Sequence, residues 1–110
     1  MSQAANTTDL LYSTLAGDPD LSEIVDMFVD EMPERIDSLL EQFDGGNLEG
    51  VQRVAHQLKG AAGSYGFHPL TPYAARVEDT VRQDDPEERI REAIDELVEM
   101  CQRVRAGLPQ

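Results

Sequence analysis

Basic residues are scarce in this chain of 110 residues. Nine lysines and arginines stand against 22 aspartates and glutamates, which gives a formal net charge of −13 and an isoelectric point near 4.3. Nucleic acids and anionic membrane surfaces are bound through clusters of basic residues, so the composition argues against both as partners. Hydrophobic residues still make up 40% of the chain and occur in periodic order, so we expect a folded domain despite the charge.

Cysteine and histidine are also rare. The single cysteine, Cys101, cannot form an internal disulfide, and its place on an apolar stripe predicts a buried thiol. The only histidines, His56 and His68, do not have the three- or four-residue spacing that a helical metal site would use. We therefore expect no intrinsic metal or cofactor.

Several kinds of segment are missing altogether. No apolar run approaches the 18 or so residues of a membrane span, and the N-terminus lacks the basic and apolar regions of a signal peptide. A Walker-type phosphate loop is absent, so ATP binding by this chain is not expected. The length predicts one domain over residues 1–110, with residues 1–7 polar and loose. The missing membrane span and signal peptide favour a cytoplasmic location.

Four amphipathic helices are predicted from apolar residues that recur every three or four positions. The first covers about residues 21–43 and keeps its phase across Pro33, which favours one helix kinked at the proline over two separate helices. Asn47 is a candidate cap for the second helix. The third begins between Pro69 and Pro72.

The fourth helix follows Asp85 and Pro86, and its apolar stripe predicts an end near Gly107. Short connections between these segments predict an all-α, up-down-up-down four-helix bundle. Residues 9–16 indicate a short N-terminal helical segment, or at least an ordered lead-in, that covers one end of the bundle.

His56 lies on the polar face of the second predicted helix. At about 100° per residue, it is roughly 140° from the centre of the apolar stripe of residues 51–65, so it should point to solvent. Lys59, Gly60 and Gly63 surround the imidazole on the exposed side.

The two glycines are costly in a helix, at about 1 kcal/mol each relative to alanine. Neither is an obvious C-cap, because the apolar stripe continues through Ala62 and Tyr65. We interpret Gly60 and Gly63 as bare positions where the surface of a partner approaches the backbone. The alternative, a solvated histidine without a function near a fraying, glycine-rich helix end, fits this geometry about equally well.

The segment HQLKGAAGSYGF, residues 56–67, resembles the signature of the histidine-containing phosphotransfer (HPt) domain family. That signature is His-x-Leu-Lys-Gly, then two small residues, then Gly followed by a hydrophobic residue. The matching positions are His56, Leu58, Lys59, Gly60, Ala61, Ala62, Gly66 and Phe67. The small positions are alanine where many family members have serine. Helix number and lengths also agree with the family's bundle along most of the chain.

The resemblance implies a phosphorelay intermediate that has no kinase activity of its own. His56 would accept a phosphoryl group from the aspartate of a response-regulator receiver domain and pass it to another such domain. A hybrid sensor histidine kinase would be a further partner, and the magnesium ion would belong to the receiver. A neutral imidazole is a competent nucleophile near pH 7. Lys59, one turn away, would stabilise the phosphoryl oxygens by charge and hydrogen bonding.

The exposed face around His56 offers polar, cationic and bare positions, with no carboxylate between Val51 and Val77. The residues expected to contact a partner are Gln52, Arg53, Gln57, Gly60, Gly63 and Phe67. Packing in the end of the bundle is the alternative for Phe67. We expect a monomer, because one bundle uses all the apolar stripes. The alternative function is a helical interaction scaffold that docks a partner on this face without being phosphorylated.

Overall fold

The computed structural model describes residues 9–108, which form an all-α bundle of four helices. The helices are α1 (Ser22–Asp44), α2 (Leu48–Ser64), α3 (Thr71–Arg82) and α4 (Glu87–Cys101), and a 3-10 turn, His68–Leu70, precedes α3. The predicted fold class is therefore confirmed. Residues 1–7, which are predicted to be loose, lie outside the described residues.

Consecutive helices pack against each other, and α1 also contacts α4, which closes the bundle. The apolar stripe predicted for α2 lies in the core, where Val51, Ala55, Leu58 and Ala62 are buried. One face of α2 is thus held by the bundle and the opposite face is left to solvent.

Helix α1 runs without a break through Pro33, as the constant phase of its apolar residues predicts. Met32 before the proline and Leu39 after it are both buried, so the same face packs on the core along the helix. A three-residue connection leads into α2. There the side-chain oxygen of Asn47 accepts a hydrogen bond from the backbone N–H of Gly50 at 3.1 Å, which confirms Asn47 as the cap.

Both ends of the described chain differ from the prediction. Residues 9–16 form no helix: they contain a two-residue strand, β1 (Leu11–Tyr12), followed by turns. The last helix ends at Cys101 rather than near Gly107, and strand β2 (Val104–Arg105) follows it. The two strands pair in parallel. The backbone groups of these two short segments are hydrogen-bonded by pairing between opposite ends of the chain. The spacing of apolar residues reports only local structure, so it could not predict this pairing.

The N-terminal segment is also tied to the end of α2. The backbone N–H of Thr14 donates to the carbonyl of Gly66 at 3.0 Å, and the Ser13 hydroxyl donates to the carbonyl of Tyr65 at 2.5 Å. Gly66 has a φ of 82°, and a Cβ there would collide with the Ser13 hydroxyl. Glycine is required at this position by both the backbone conformation and the close approach.

Candidate functional site

His56 projects from the middle of α2 on the face that the bundle leaves exposed. Of its side-chain surface, 64% is accessible to solvent. The buried stripe on the other side of α2 fixes the rotation of the helix, so the direction of the imidazole follows from core packing. A second molecule can therefore reach the ring.

A buried carboxylate lies behind the imidazole. Glu78 of α3 is only 1% exposed, and its Oε2 is 2.8 Å from Nδ1 of His56. Since an ionised carboxylate can only accept hydrogen bonds, the proton must be on Nδ1. In the neutral ring, Nε2 then carries the free lone pair and is the nucleophilic nitrogen.

Glu78 accepts two further charge-assisted hydrogen bonds. Lys59 Nζ donates to Oε1 and Arg82 Nη2 donates to Oε2, each at 2.8 Å. The bond from Lys59 is the main cause that lowers the pKa of Glu78; burial opposes it by raising the pKa, and His56 and Arg82 lower it further. The carboxylate is therefore ionised at neutral pH and is held from three sides.

The ammonium of Lys59 faces Glu78 in this arrangement. The sequence interpretation pairs Lys59 directly with phosphoryl oxygens, but the contact that the structure gives it is with the buried carboxylate. Its role in stabilising a phosphoryl group stays a prediction. Its contact with Glu78 adds a second role, since a buried carboxylate needs compensating donors.

An open depression of about 300 Å³ adjoins the imidazole. Its lining combines side chains from α2 and α3: Glu49, Gln52, Arg53, His56, Glu78 and Arg82. The two arginines in this lining, Arg53 and Arg82, come from different helices. The depression beside the accessible ring therefore has one cationic group from α2 and one from α3.

Gly60 and Gly63, the two glycines in the second half of α2, contact no other part of the described residues. A Cβ built at Gly60 or at Gly63 would have nothing within 4 Å beyond the neighbouring helix backbone. They leave a flat strip of backbone on the same side of α2 as His56. Gln57, also exposed, lines a second shallow depression shared with α1.

The prediction that Phe67 contacts a partner is wrong. The side chain is 0% exposed and its ring stacks on that of Phe28, with 5.3 Å between the ring centroids. The alternative given for Phe67, packing inside the end of the bundle, is confirmed. The hydrophobic residue of the signature thus belongs to the core, because Gly66 turns the chain back towards α1.

Other sites are not supported by the described residues. The Cys101 thiol is buried as predicted, and burial raises its pKa to about 12, so it is a poor ligand and nucleophile. Residues 9–108 contain no group of three histidine, cysteine or acidic side chains placed to hold a metal ion. Within the same range, no helix combines the length and the apolar character needed to cross a membrane.

The model of the Hpt domain family matches residues 23–107 of this chain. The chain belongs to the Hpt domain family. Hpt domains are histidine phosphotransfer intermediates of phosphorelays, without kinase activity of their own, and they interact with response-regulator receivers and with kinases. No curated protein and no solved structure matches this Hpt domain in the comparisons.

Sequence reasoning missed two residues of the Hpt site, Glu78 and Arg82. A signal for Glu78 exists: it follows core residue Val77 and lies four residues after Ala74, so it falls on the inner side of α3. A single acid on an apolar stripe indicates a buried, partnered carboxylate. Arg82 lies four residues after Glu78, the spacing of a helical ion pair.

Proposed function

We propose that His56 accepts a phosphoryl group from the aspartyl phosphate of one receiver domain and passes it to the aspartate of another. The observation that carries this proposal is an accessible imidazole whose Nδ1 is held by the buried carboxylate of Glu78. This contact selects the tautomer in which the outward nitrogen is the nucleophile. It also fixes the ring, so less conformational freedom is lost when a receiver docks.

The chemical step follows from that geometry. Nε2 attacks phosphorus, the N–P bond forms, and the acyl P–O bond breaks as the aspartate leaves as a carboxylate. Because Nδ1 keeps its proton, the ring gains positive charge during the attack. Glu78 lies 2.8 Å from Nδ1 and stabilises that charge. The reverse transfer uses the same contacts, with the charge on the ring dispersing as phosphorus leaves.

The charges around the ring suit a transferred anion. Lys59 keeps Glu78 ionised and places an ammonium one turn from His56, so it contributes to neutralising the phosphoryl group. The magnesium ion belongs to the receiver in this proposal, as membership of the Hpt family implies. We expect Lys59→Ala to slow transfer.

The docking surface is the exposed side of α2. Gln52, Arg53 and Gln57 supply polar and cationic contacts around His56. Gly60 and Gly63 let the receiver come close to the helix backbone, because nothing else occupies the space above them. We propose that the domain acts as a monomer in the cytoplasm, with a hybrid sensor histidine kinase upstream.

The test is transfer from a phosphorylated receiver. The wild-type domain should take up label that is lost in acid and retained in alkali, as expected of phosphohistidine. His56→Gln should take up none. His68→Gln is the matched control, because His68 is an exposed histidine at the start of the 3-10 turn and outside the site, and it should behave as wild type.

Two outcomes would contradict the proposal. Equal labelling of His56→Gln and wild type would remove His56 as the acceptor. Tight receiver binding with no label on any variant would favour the scaffold function, in which the same face docks a partner without chemistry.

A further inference from the structure

Arg82 occupies a position that its pairing with Glu78 does not fully explain. Its Nη2 contacts Oε2 of Glu78, the same oxygen that accepts from His56 Nδ1. Its side chain is nevertheless 55% exposed and lines the depression beside the imidazole. The guanidinium therefore touches the buried carboxylate at one edge and faces the open depression with the rest.

A guanidinium has five N–H donors in a planar fork, and the bond to Glu78 uses only one of them. Lys59 is placed differently: its ammonium contacts the other oxygen, Oε1, and its side chain is more covered, at 32% exposed. Of the two cations that hold Glu78, Arg82 is therefore the more exposed, and four of its five N–H donors are not used by Glu78.

The charges around the ring can be counted. Arg53, Lys59 and Arg82 are positive, while Glu49 and Glu78 are negative, so the surroundings of a neutral imidazole carry a net charge of +1. A phosphoryl group on Nε2 brings close to two negative charges into the same depression. Nearby cations are then needed to bind the phosphoryl oxygens. A partly exposed arginine can donate to them while it keeps its hydrogen bond to Glu78.

We propose that Arg82 binds the phosphoryl oxygens on His56 while it keeps its hydrogen bond to Glu78. The guanidinium then links the phosphoryl group to the carboxylate that holds the ring. Arg82 stabilises both the transition state of phosphoryl transfer and the phosphohistidine product. This inference rests on the proposed function, because it needs a phosphoryl group on Nε2 of His56.

The test uses phosphoramidate, a small donor that labels histidine without a protein partner. The Nε2–P bond forms as the P–N bond of the donor breaks, and nitrogen leaves as ammonia with the protons it carries in the zwitterion. Labelling rate and the half-life of phosphohistidine at neutral pH are measured for wild type, Arg82→Gln, Arg82→Lys and Arg76→Gln. Arg76 is the matched control, since it lies on α3 and pairs with Glu96 at the surface.

We expect Arg82→Gln to lower the labelling rate and the half-life by about tenfold, the loss of one charge-assisted hydrogen bond. Arg76→Gln should match wild type. Arg82→Lys keeps the charge but not the fork, so it should recover the thermal stability and only part of the half-life. A purely structural role would instead lower the unfolding temperature and leave the half-life of the folded protein unchanged.

The inference is overturned if Arg82→Gln and Arg76→Gln agree within about twofold, or if Arg82→Lys is indistinguishable from wild type. Should Arg82→Gln fail to fold, Arg82→Lys alone decides. The proposed function can fail independently of this inference. If no receiver labels the wild-type domain but labelling by phosphoramidate depends on Arg82, transfer from a receiver is refuted and the arginine contact is retained.

Discussion

A carboxylate removed from water costs several kcal/mol unless donors replace the lost hydration. Glu78 has three such donors, on two helices, and each of them also belongs to the surface around the reactive ring. The same contacts therefore support the fold and prepare His56. Changing any one donor alters both.

The stability supplied by Glu78 should depend on pH. Its pKa in the folded protein is lowered from the usual value of 4.5, chiefly by the bond from Lys59. A lowered pKa contributes stability that is fully present above the unfolded value and is lost as pH falls through the folded value. The free energy of unfolding of wild type should exceed that of Glu78→Gln at neutral pH, and the gap should narrow progressively as the pH falls below about 4.5.

Urea unfolding at a series of pH values measures that gap. Glu96→Gln serves as the control, because Glu96 pairs with Arg76 at the surface and should show little gap at any pH. A difference between wild type and Glu78→Gln that stayed constant down to about pH 3 would show that the charge of Glu78 is not what stabilises the fold.

Helix α2 has two faces with different requirements. The buried face is set by volume and apolarity, and its residues could be identified from spacing alone. The exposed face keeps two glycines that no contact within the described residues demands. Helix propensity would favour almost any other residue there, so the glycines are a cost in stability, and the proposed docking of a receiver accounts for it.

Gly63→Leu should therefore separate stability from binding. The variant should gain about 1 kcal/mol in the free energy of unfolding, because leucine is the better helix former. Its affinity for a receiver should fall about tenfold or more, because the side chain stands beside His56 where the partner approaches. Glu92→Leu, on the exposed side of α4, is the control and should leave affinity unchanged. Undiminished binding by Gly63→Leu would refute the steric role.

The turns after α1 and α2 make different demands on their glycines. Gly46 and Gly66 both have positive φ, at 73° and 82°, but only Gly66 is crowded by Ser13 and Thr14. Gly46→Ala should cost about 1 kcal/mol from backbone strain alone. Gly66→Ala should cost about 3 kcal/mol, since overlap with the N-terminal segment adds to the strain. Equal losses in urea unfolding would mean that the N-terminal contact contributes nothing.

The helices and the exposure of His56 could be predicted because both depend on local periodicity. The strands could not, since Leu11 and Val104 are brought together only by the finished bundle. Glu78 and Arg82 were missed for a related reason. Charged residues were assigned to solvent by default, and the contact of Lys59 with Glu78 joins two helices. Phe67 was misplaced because the sharp turn at Gly66 reverses the chain direction.

The whole molecule is strongly acidic, with a net charge of −13, yet the residues around His56, with Lys59 counted among them, carry a small positive excess. A receiver active site is itself acidic in the proposed function. The positive charge around His56 lowers the electrostatic repulsion that two acidic proteins would otherwise have at close contact.

The interior provides a probe of global unfolding. Cys101 is 1% exposed and its pKa is raised to about 12 by burial, so both access and ionisation limit its reaction. At about pH 8, a thiol reagent should modify the native protein at least about 10³-fold more slowly than the urea-unfolded chain. Destabilised variants such as Gly66→Ala should react faster in proportion to their loss of stability. Rapid modification of the native wild type would show that α4 opens locally.

The parallel pairing of β1 with β2 also determines how the domain bears tension. A pull on the two ends of the described chain draws the strands past each other lengthwise, so their hydrogen bonds are loaded together in shear and not one after another. The load reaches the helices only after that pairing slips. A mechanical strain between the ends would therefore leave the surface around the imidazole undistorted until the strands part.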